Sequence, residues 1–287
     1  MMRKTKNVRE LEKAALEIRE SLLKLAVKEI IHIGSDLSVA DIMTALWQYQ
    51  MQYDPGDPKW EGRDRFVLSK GHAYETMALN QEAIGCFKEN EVFSHYMQDG
   101  GRFAMHACDL VNHFVDVPSG SLGHGLPIAC GMAVGLRLKG NQTSRVYVIM
   151  GDGEQTEGSV WEAAMNAVFH KLGNLVAVID NNGLAGDGPL EDATSLRDIA
   201  GKYREFGWMV EEFDGNDMAK IKMHLDCLPD PMSEKPTAFI CHTIKGKGVT
   251  FMENQGRWHT GKISQEQCDE LIIRLNEEYE KRWSLIV

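Results

Sequence analysis

The sequence predicts an α/β fold, a doubly wound and mostly parallel sheet with helices on both faces. Two short apolar runs, residues 146–150 and 175–179, have the length and composition of buried strands. Residues 159–171, which lie between them, have the composition of a crossover helix. A third strand-like run, 238–244, is followed by a loop of glycine and lysine. Because crossover connections are right-handed, we expect parallel strands whose carboxyl ends share one edge of the sheet.

Helical spacing predicts the remaining elements. Apolar residues between Leu11 and Leu25 recur at the spacing of a core-facing helix, and residues 39–49 form a second amphipathic pattern. Residues 129–135 are rich in small side chains, which suit close helix packing, and 264–282 has the pattern of a surface helix. No linker-like composition divides the chain. We therefore expect a single domain over residues 1–287, with a helical extension from about residue 264.

Composition excludes several classes of function. A formal net charge of −11 argues against nucleic acid or an anionic membrane as a partner. No apolar run is long enough for a membrane span, and the charged amphipathic N-terminal segment is unlike the core of a signal peptide. The six cysteines form no CxxC pair and indicate reduced thiols. We expect a cytoplasmic protein.

Two polar motifs follow the first two predicted strands. Gly151-Asp152-Gly153 and Asn181-Asn182-Gly183 are separated by 27 residues. Asp152 and Asn182 offer hard oxygen atoms of the kind that Mg²⁺ prefers. The glycines allow a diphosphate to approach backbone N–H groups and the start of the following helix. Each motif alone is typical of an ordinary turn, but together, after two buried strands, they predict a metal-diphosphate site.

These motifs resemble the signature of thiamine-diphosphate enzymes, and within that group the sequence resembles transketolases over nearly its whole length. The matching motifs are, in order, residues 32–35 (HIGS), 64–72 (DRFVLSKGH), 119–123 (SGSLG), 151–158 (GDGEQTEG), 245–248 (KGKG) and 258–259 (WH). Six motifs in the same order make the resemblance specific.

The resemblance covers only the first domain of a transketolase. Complete transketolase chains also carry a pyrimidine-binding domain, which holds the catalytic glutamate, and a C-terminal domain. The resemblance therefore implies the N-terminal, thiamine-diphosphate-binding subunit of a split transketolase. Its expected partner is a C-terminal transketolase subunit that carries the pyrimidine-binding domain, in an α2β2 assembly.

The resemblance also implies roles for individual residues. Catalytic roles fall on His32, His72, His106 and His259, although the Gly-His-Pro of the family is Met105-His106-Ala107 here. Cofactor binding falls on Ser35, His72, Gly120, Ser121, Leu122, Gly151, Gly153, Glu157, Asn182, Lys245 and His259. The implied metal ligands are Asp152, Asn182 and Leu184, for Mg²⁺ or for Ca²⁺ or Mn²⁺ as substitutes. Glu157 and Glu162 match acids at the family's subunit contact.

The implied reaction transfers a two-carbon ketol unit from a ketose phosphate to an aldose phosphate. Protons must leave and return to sugar hydroxyls near neutral pH, which is a task suited to imidazoles. The histidines therefore agree with the implied chemistry.

Three alternatives remain open at the level of sequence. His124 stands where the family commonly has glutamine, and Pro118 and the segment 108–114 also depart from it, which leaves room for a sulfonated or branched sugar donor. A 1-deoxyxylulose-phosphate-synthase type of enzyme shares the first glycine motif, but residues 70–73, 245–248 and 258–259 favour a transketolase. A non-catalytic homologue is the third alternative, and the retained metal ligands and histidines argue against it.

Overall fold

The structure is a computed structural model that describes residues 5–186 and 188–284. Its strands are β1 (Arg65–Leu68), β2 (Val146–Gly151), β3 (Leu175–Asn181), β4 (Met209–Asp214) and β5 (Thr237–His242). Its α-helices in the described ranges are α1 (Val8–Lys28), α2 (Ile33–Ala45), α3 (Tyr74–Ala83), α4 (Glu91–His95), α5 (Gly125–Leu138), α6 (Gly158–Phe169), α7 (Leu190–Ala193), α8 (Ile199–Phe206), α9 (Met218–Asp226) and α10 (Gln265–Ser284). The strands form one parallel sheet in the order β1-β2-β3-β5-β4.

Alternate residues of each strand enter two different cores. Tyr147 and Ile149 of β2 pack into the core formed with α1, α2, α3, α9 and α10. Val148 and Met150 pack on the opposite face with α5, α6 and α8. This division follows from the two-residue period of a strand, which turns successive side chains to opposite faces. The predicted doubly wound α/β fold is confirmed.

The predicted strands are present with small changes at their ends. The third ends at His242, two residues early, and the next residue, Thr243, directs its hydroxyl to the carboxylate of Asp180. The pattern at 39–49 belongs to the longer helix α2 and to a π-helical turn, Leu46–Gln50, that extends it.

Two strands were not predicted from the sequence. The strand β1 is only four residues long, and β4 is an edge strand whose exposed residues include Glu211 and Glu212. Neither strand therefore carries a long apolar run.

The C-terminal helix α10 packs along α1. The indole N–H of Trp283 donates to Glu12 at 2.8 Å, and the guanidinium of Arg282 lies 2.6 Å from the same carboxylate. Among the described residues, no helix is both long and apolar enough to cross a membrane.

Candidate active site

A cavity of about 290 Å³ opens at the carboxyl edge of the sheet. It lies among the loops that follow β1, β2, β3 and β5 and the start of α2. Most of the residues selected from the sequence line it: His32, Ser35, His72, His106, Gly120, Leu122, Gly151, Asp152, Gly153, Asn182, Leu184, Lys245 and His259. Ser121 lines a neighbouring cavity instead, and Glu157 is exposed at the N-cap of α6.

Asp152 is held by the backbone of both motifs. Its two carboxylate oxygens accept N–H groups of Gly153, at 2.8 Å, and Gly183, at 2.5 Å. Burial, together with the nearby charge of Asp180, raises the pKa of Asp152 to about 6. A cation bound here would offset both effects, because it favours the charged carboxylate.

Asp180, the last aspartate of β3, organises the floor of the cavity. Its buried carboxylate forms an ion pair with the buried ammonium of Lys70 and accepts hydrogen bonds from Thr243 and, at 2.7 Å, from Ser38. Burial raises the pKa of Asp180, but the ammonium of Lys70 and these hydrogen bonds outweigh that effect and hold it below its ordinary value. The interactions join β3 to α2, β5 and the β1–α3 loop.

Asn182 takes its orientation from the same carboxylate. Its Nδ2 donates to Asp180 at 3.0 Å, and its Oδ1, the acceptor of the amide, receives the N–H of Leu184 at 3.1 Å. Asp152 and Asn182 follow neighbouring strands, since Gly151 of β2 is in register with Asp180 of β3. The two predicted oxygen donors are thereby brought to one side of the cavity.

Glu154 connects the glycine motif to the loop that precedes α5. Its carboxylate accepts the Ser69 hydroxyl and the backbone N–H groups of Gly123, at 2.8 Å, and Gly151, at 3.2 Å. These hydrogen bonds favour the charged carboxylate, but burial has the larger effect and raises the pKa of Glu154 above its ordinary value. The loop carrying Gly120 and Leu122 is thus fixed against the end of β2.

Three histidines surround His32. Its ring centroid lies 5.5 Å from that of His72, 5.7 Å from that of His106 and 5.3 Å from that of His259. Burial, followed by the charge on His259, His106 and two lysines, lowers the pKa of His32 to about 4. Burial also lowers the pKa of His72, reinforced by Lys70, and the pKa of His106. These three imidazoles are therefore unprotonated at neutral pH, and each offers a ring nitrogen that can accept a hydrogen bond.

Lys245 and His259 are neighbours across the cavity. The ammonium of Lys245 lies 3.2 Å from Nδ1 of His259 and 3.4 Å from the carbonyl oxygen of Ala185. An ammonium only donates hydrogen bonds, so Nδ1 of His259 accepts and the ring proton of the neutral imidazole is on Nε2. His259 thus presents an N–H group that is fixed by Lys245.

A close backbone approach brings His259 to the start of α2. A Cβ atom at Gly34 would lie 2.5 Å from the carbonyl oxygen of Trp258, and the carbonyl of Gly34 accepts the N–H of Gly246 at 2.9 Å. Gly246 has a φ of +79°, which favours glycine. The sequence motifs around residues 32–35, 245–248 and 258–259 therefore form one contact.

The cavity suits a metal-diphosphate group. Gly151 and Gly153 line the cavity, and among the described residues a Cβ atom would meet nothing within 4 Å at Gly151 and nothing closer than 3.8 Å at Gly153, so a side chain at either position would enter the cavity. Among the described residues, no three His, Cys, Asp or Glu side chains are grouped to hold a metal. A Mg²⁺ ion would thus need the amide of Asn182, a backbone carbonyl and phosphate oxygens beside Asp152, which is the donor set that Mg²⁺ commonly uses.

Three buried residues of the site were missed by sequence reasoning, namely Lys70, Glu154 and Asp180. Lys70 and Glu154 belong to the quoted motifs, and Asp180 ends an apolar strand. A charged residue at the end of a buried strand was the available signal, since such charges require partners.

Comparison with known proteins identifies the family. Residues 21–284 match the family model described as transketolase, thiamine diphosphate binding domain. The chain is 39% identical to one of the subunits of the apulose-4-phosphate transketolase of Phocaeicola vulgatus, covering 96% of each chain. It is 34% identical to a 6-deoxy-6-sulfo-D-fructose transketolase subunit from a Clostridium species, over 86% of this chain and 89% of the relative.

Solved structures agree with this assignment. A transketolase from Pichia stipitis superposes with a TM-score of 0.84 at 27% identity, covering 96% of this chain and 41% of its own. The chain therefore belongs to the transketolase family and contains its thiamine diphosphate binding domain. The predicted family and the prediction of a transferase enzyme are confirmed.

Proposed function

We propose that this chain is the thiamine-diphosphate-binding subunit of a two-chain transketolase, active only with its partner subunit. The reaction moves a two-carbon ketol unit from a ketose phosphate to an aldose phosphate. The observation that carries the proposal is the cavity itself, where four histidines face the two loops of a metal-diphosphate site. The two similar proteins are both named as transketolase subunits, which supports the two-chain organisation.

The residues of this chain divide the work of holding the cofactor. Asp152, Asn182 and the carbonyl of Leu184 would hold Mg²⁺, and Ca²⁺ or Mn²⁺ would substitute. The cofactor itself would contact the cavity residues Ser35, His72, Gly120, Leu122, Gly151, Gly153, Asn182, Lys245 and His259, while Ser121 and Glu157, which lie outside this cavity, stay predictions from the sequence. When bound, thiamine diphosphate supplies the electron sink for carbon–carbon bond cleavage. Lys245, buried in an otherwise acidic chain, would offset charge on the diphosphate.

The histidines would manage protons on the sugar. His32, His72 and His106 are unprotonated at neutral pH, because their pKa values lie below the ordinary range, and each offers a ring nitrogen that accepts a hydrogen bond from a sugar hydroxyl. His259 would donate from Nε2 while Lys245 holds Nδ1. The arrangement therefore provides both an acceptor and a donor within one cluster.

A partner subunit would complete the site. The exposed face of α5 includes Ile128, Gly131 and Leu138, with Leu138 84% exposed, and the adjoining helix α6 exposes Met165 and Phe169. Exposed apolar residues on two packed helices are typical of an interaction surface. We infer that the C-terminal subunit, carrying the pyrimidine-binding domain and the catalytic glutamate, binds this face in an α2β2 assembly. Glu157, the N-cap of α6, and Glu162, in its second turn, are both exposed and would lie at the contact.

The donor sugar of the proposed reaction is still to be identified by experiment. The similar proteins are named for apulose 4-phosphate and for 6-deoxy-6-sulfo-D-fructose, which supports testing branched and sulfonated donors beside ordinary sugar phosphates. His124 at the N-cap of α5 lines the cavity adjoining the site, so it is a candidate for distinguishing donors. We also retain a cytoplasmic location as a prediction.

The test starts with native mass spectrometry of the protein captured from its own host. We expect a second chain of comparable mass and retained thiamine diphosphate. The purified complex is then supplied with ¹³C-labelled sugar phosphates, apulose 4-phosphate and the sulfonated ketose, and the acceptor products are analysed. Label should move as a two-carbon unit only when both chains are present. Full activity of this chain alone, or no two-carbon transfer from any donor by the captured complex, would contradict the proposal.

A further inference from the structure

Two buried carboxyl groups lie behind the histidine cluster, outside the cavity. Asp36 is in the first turn of α2 and Glu75 is in the first turn of α3, and both are 0% exposed. Oδ1 of Asp36 accepts the Thr76 N–H at 3.0 Å and its hydroxyl at 2.7 Å, and Oε1 of Glu75 accepts the hydroxyl of Tyr96. Within the part of the chain that the structure describes, no N–H or O–H group donates to the other two oxygens, Oδ2 of Asp36 and Oε2 of Glu75.

A single proton between the two groups supplies the missing donor. Thr76, the residue after Glu75, donates both its N–H and its hydroxyl to Asp36, which brings the two buried carboxyl groups beside each other. Two charged carboxylates at this distance, both removed from water, would repel strongly, so one of them retains a proton. Burial raises the pKa of Asp36 to about 7, and burial together with Asp36 raises that of Glu75 well above its ordinary value.

The pair joins the two helix starts that carry His32 and His72. His32 is the N-cap of α2, and its carbonyl accepts the N–H of Asp36 at 3.0 Å. His72 precedes α3 by two residues, and its ring centroid lies 5.5 Å from that of His32. A bond between Asp36 and Glu75 therefore fixes the two first turns, and with them the two imidazoles, relative to each other.

We propose that Asp36 and Glu75 are positioning residues: by sharing one proton they join the first turns of α2 and α3 and set the separation of the His32 and His72 imidazoles. Neither carboxyl group lines the cavity, so the pair acts through the histidines rather than on a substrate. The kinetic part of this inference rests on the proposed transketolase function. The structural part does not.

Other ionisable groups near the pair have partners of their own. Lys70, the cation whose charge acts on Asp36, is paired with Asp180. Arg19 of α1, which packs on α2, forms a bidentate bridge with Asp41. Tyr96 is bound to Glu75 itself. The helix α9 also packs against α2, and its ionisable side chains have partners too. These contacts join Lys220 to Asp217, Lys222 to Asp226 and His224 to Glu211.

Matched variants separate the hydrogen bond from the proton. In Glu75→Gln, the amide oxygen still accepts from Tyr96 and the amide nitrogen donates to Asp36, so the contact survives without a shared proton. Asp36→Asn is the reciprocal change. Glu75→Leu fills similar space but leaves Oδ2 of Asp36 without its donor. Asn80→Leu is the control, because Asn80 donates to the carbonyl of Thr76 in the same helix pair and touches neither carboxyl group.

The first readout is the pH dependence of unfolding by urea, measured on the full chain alone. The folded chain keeps a proton that the unfolded chain releases above about pH 4. The stabilisation by this proton is therefore complete below about pH 4 and is lost as the pH rises through the folded pKa of the carboxyl group that holds it, Glu75, which lies well above its ordinary value. Over that window the unfolding equilibrium constant of the wild type should rise about tenfold per pH unit relative to Glu75→Gln. Asn80→Leu should be less stable but keep the wild-type pH dependence.

The second readout is the ring NMR signals of His32 and His72, with His242 as a remote reference. We expect Glu75→Gln and Asp36→Asn to leave these signals near their wild-type positions, and Glu75→Leu to shift both while leaving His242 unchanged. In the assembled enzyme, Glu75→Leu should lower kcat about 10- to 100-fold, with little change in the KM of thiamine diphosphate, because small displacements of reacting groups are costly. Glu75→Gln should keep most of kcat.

Two results would overturn the inference. Identical pH profiles for the wild type and Glu75→Gln would show that no proton is shared. Unshifted His32 and His72 signals in a folded Glu75→Leu protein, or in a folded Glu75→Ala protein if the leucine variant does not fold, would show that the pair does not position them. The pH dependence of unfolding and the histidine signals are both measured on this chain alone. Failure to find sugar transfer would therefore contradict the proposed function but would not bear on the role of Asp36 and Glu75.

Discussion

Lys70 and Asp180 form a completely buried ion pair between the β1–α3 loop and the end of β3. Both side chains are at most 2% exposed, and the same carboxylate also binds Ser38, Asn182 and Thr243. Lys70 lines the cavity and Asp180 lies beneath it, so the pair forms part of the floor of the site. Its removal should therefore affect folding and cofactor binding together.

We expect Asp180→Asn to lower the free energy of unfolding by about 3–5 kcal/mol, because it leaves the ammonium of Lys70 buried without its counter-charge. Urea unfolding of the full chain measures this change. The control is Glu234→Gln, which removes an exposed ion pair with Lys171 and should leave stability unchanged. Equal stability of Asp180→Asn and the wild type would refute the structural role of the pair.

Asp152→Ala should abolish metal-dependent binding of thiamine diphosphate while the chain stays folded. The variant removes the only carboxylate among the proposed metal ligands, and metal ions of this kind need hard oxygen donors. Calorimetric titration with and without Mg²⁺ measures the effect. Asp214→Asn is a suitable control, since Asp214 is also at the carboxyl end of a strand but does not line the cavity. Unchanged affinity in Asp152→Ala would exclude the ligand role.

His259→Ala should depress turnover of the assembled enzyme about 100-fold or more, with a smaller effect on cofactor affinity, because general acid or base groups commonly contribute this much. Steady-state kinetics with saturating thiamine diphosphate measures kcat. His242→Ala provides the comparison: His242 ends β5 at the same edge but is outside the cavity. If both variants turned over like the wild type, the role assigned to His259 would be wrong.

Gly34→Ala should move the loop that carries His259. The new Cβ atom would meet the carbonyl oxygen of Trp258 at 2.5 Å, so backbone must shift, at an expected cost of about 1–3 kcal/mol in unfolding free energy. Gly131→Ala is the matched control in α5, because a Cβ atom there meets none of the described residues within 4 Å. Replacing this helical glycine by alanine should stabilise the isolated chain by about 0.5–1 kcal/mol. Thermal and urea unfolding compare the two. A neutral Gly34→Ala variant would argue against the close approach.

The imidazole of His32 should titrate near pH 4 rather than near 6.5, because burial and neighbouring positive charge disfavour its protonation. As the pH falls from 6.5 to 4, the unfolded chain gains a proton on this residue before the folded chain does, so this contribution to stability decreases. An NMR titration of the ring protons, with the signal assigned by its loss in His32→Gln, measures the midpoint. A midpoint at the ordinary value would mean that the site is more open to water.

The sequence was sufficient to predict the sheet class and the position of most cavity residues, because both depend on local patterns. Buried strands are recognised by apolar runs, and glycine motifs at their ends mark the edge where ligands bind. Thus Asp152 and Asn182, which follow such runs, were expected where the structure has them.

The polar interior was not predictable in the same way. Asp36 and Glu75 lie in helices, where an acidic residue ordinarily indicates a solvent-facing side, and their burial depends on the packing of α2 against α3. The ion pair of Lys70 with Asp180 joins residues that are distant in sequence. Tertiary contacts of this kind carry no local pattern that a single sequence displays.

The sheet order has a consequence for synthesis of the chain. The strand β5 is made last, but it lies between β3 and β4 and supplies the neighbour that both require. On the ribosome, β4 therefore waits without a partner, and one edge of β3 stays open to other chains until residues 237–242 emerge. The loop with Lys245 and His259 follows at once. Closure of the sheet and completion of the histidine cluster thus both wait for the last part of the chain to be synthesised. A nascent chain that stops before this point keeps open strand edges and is prone to misassembly.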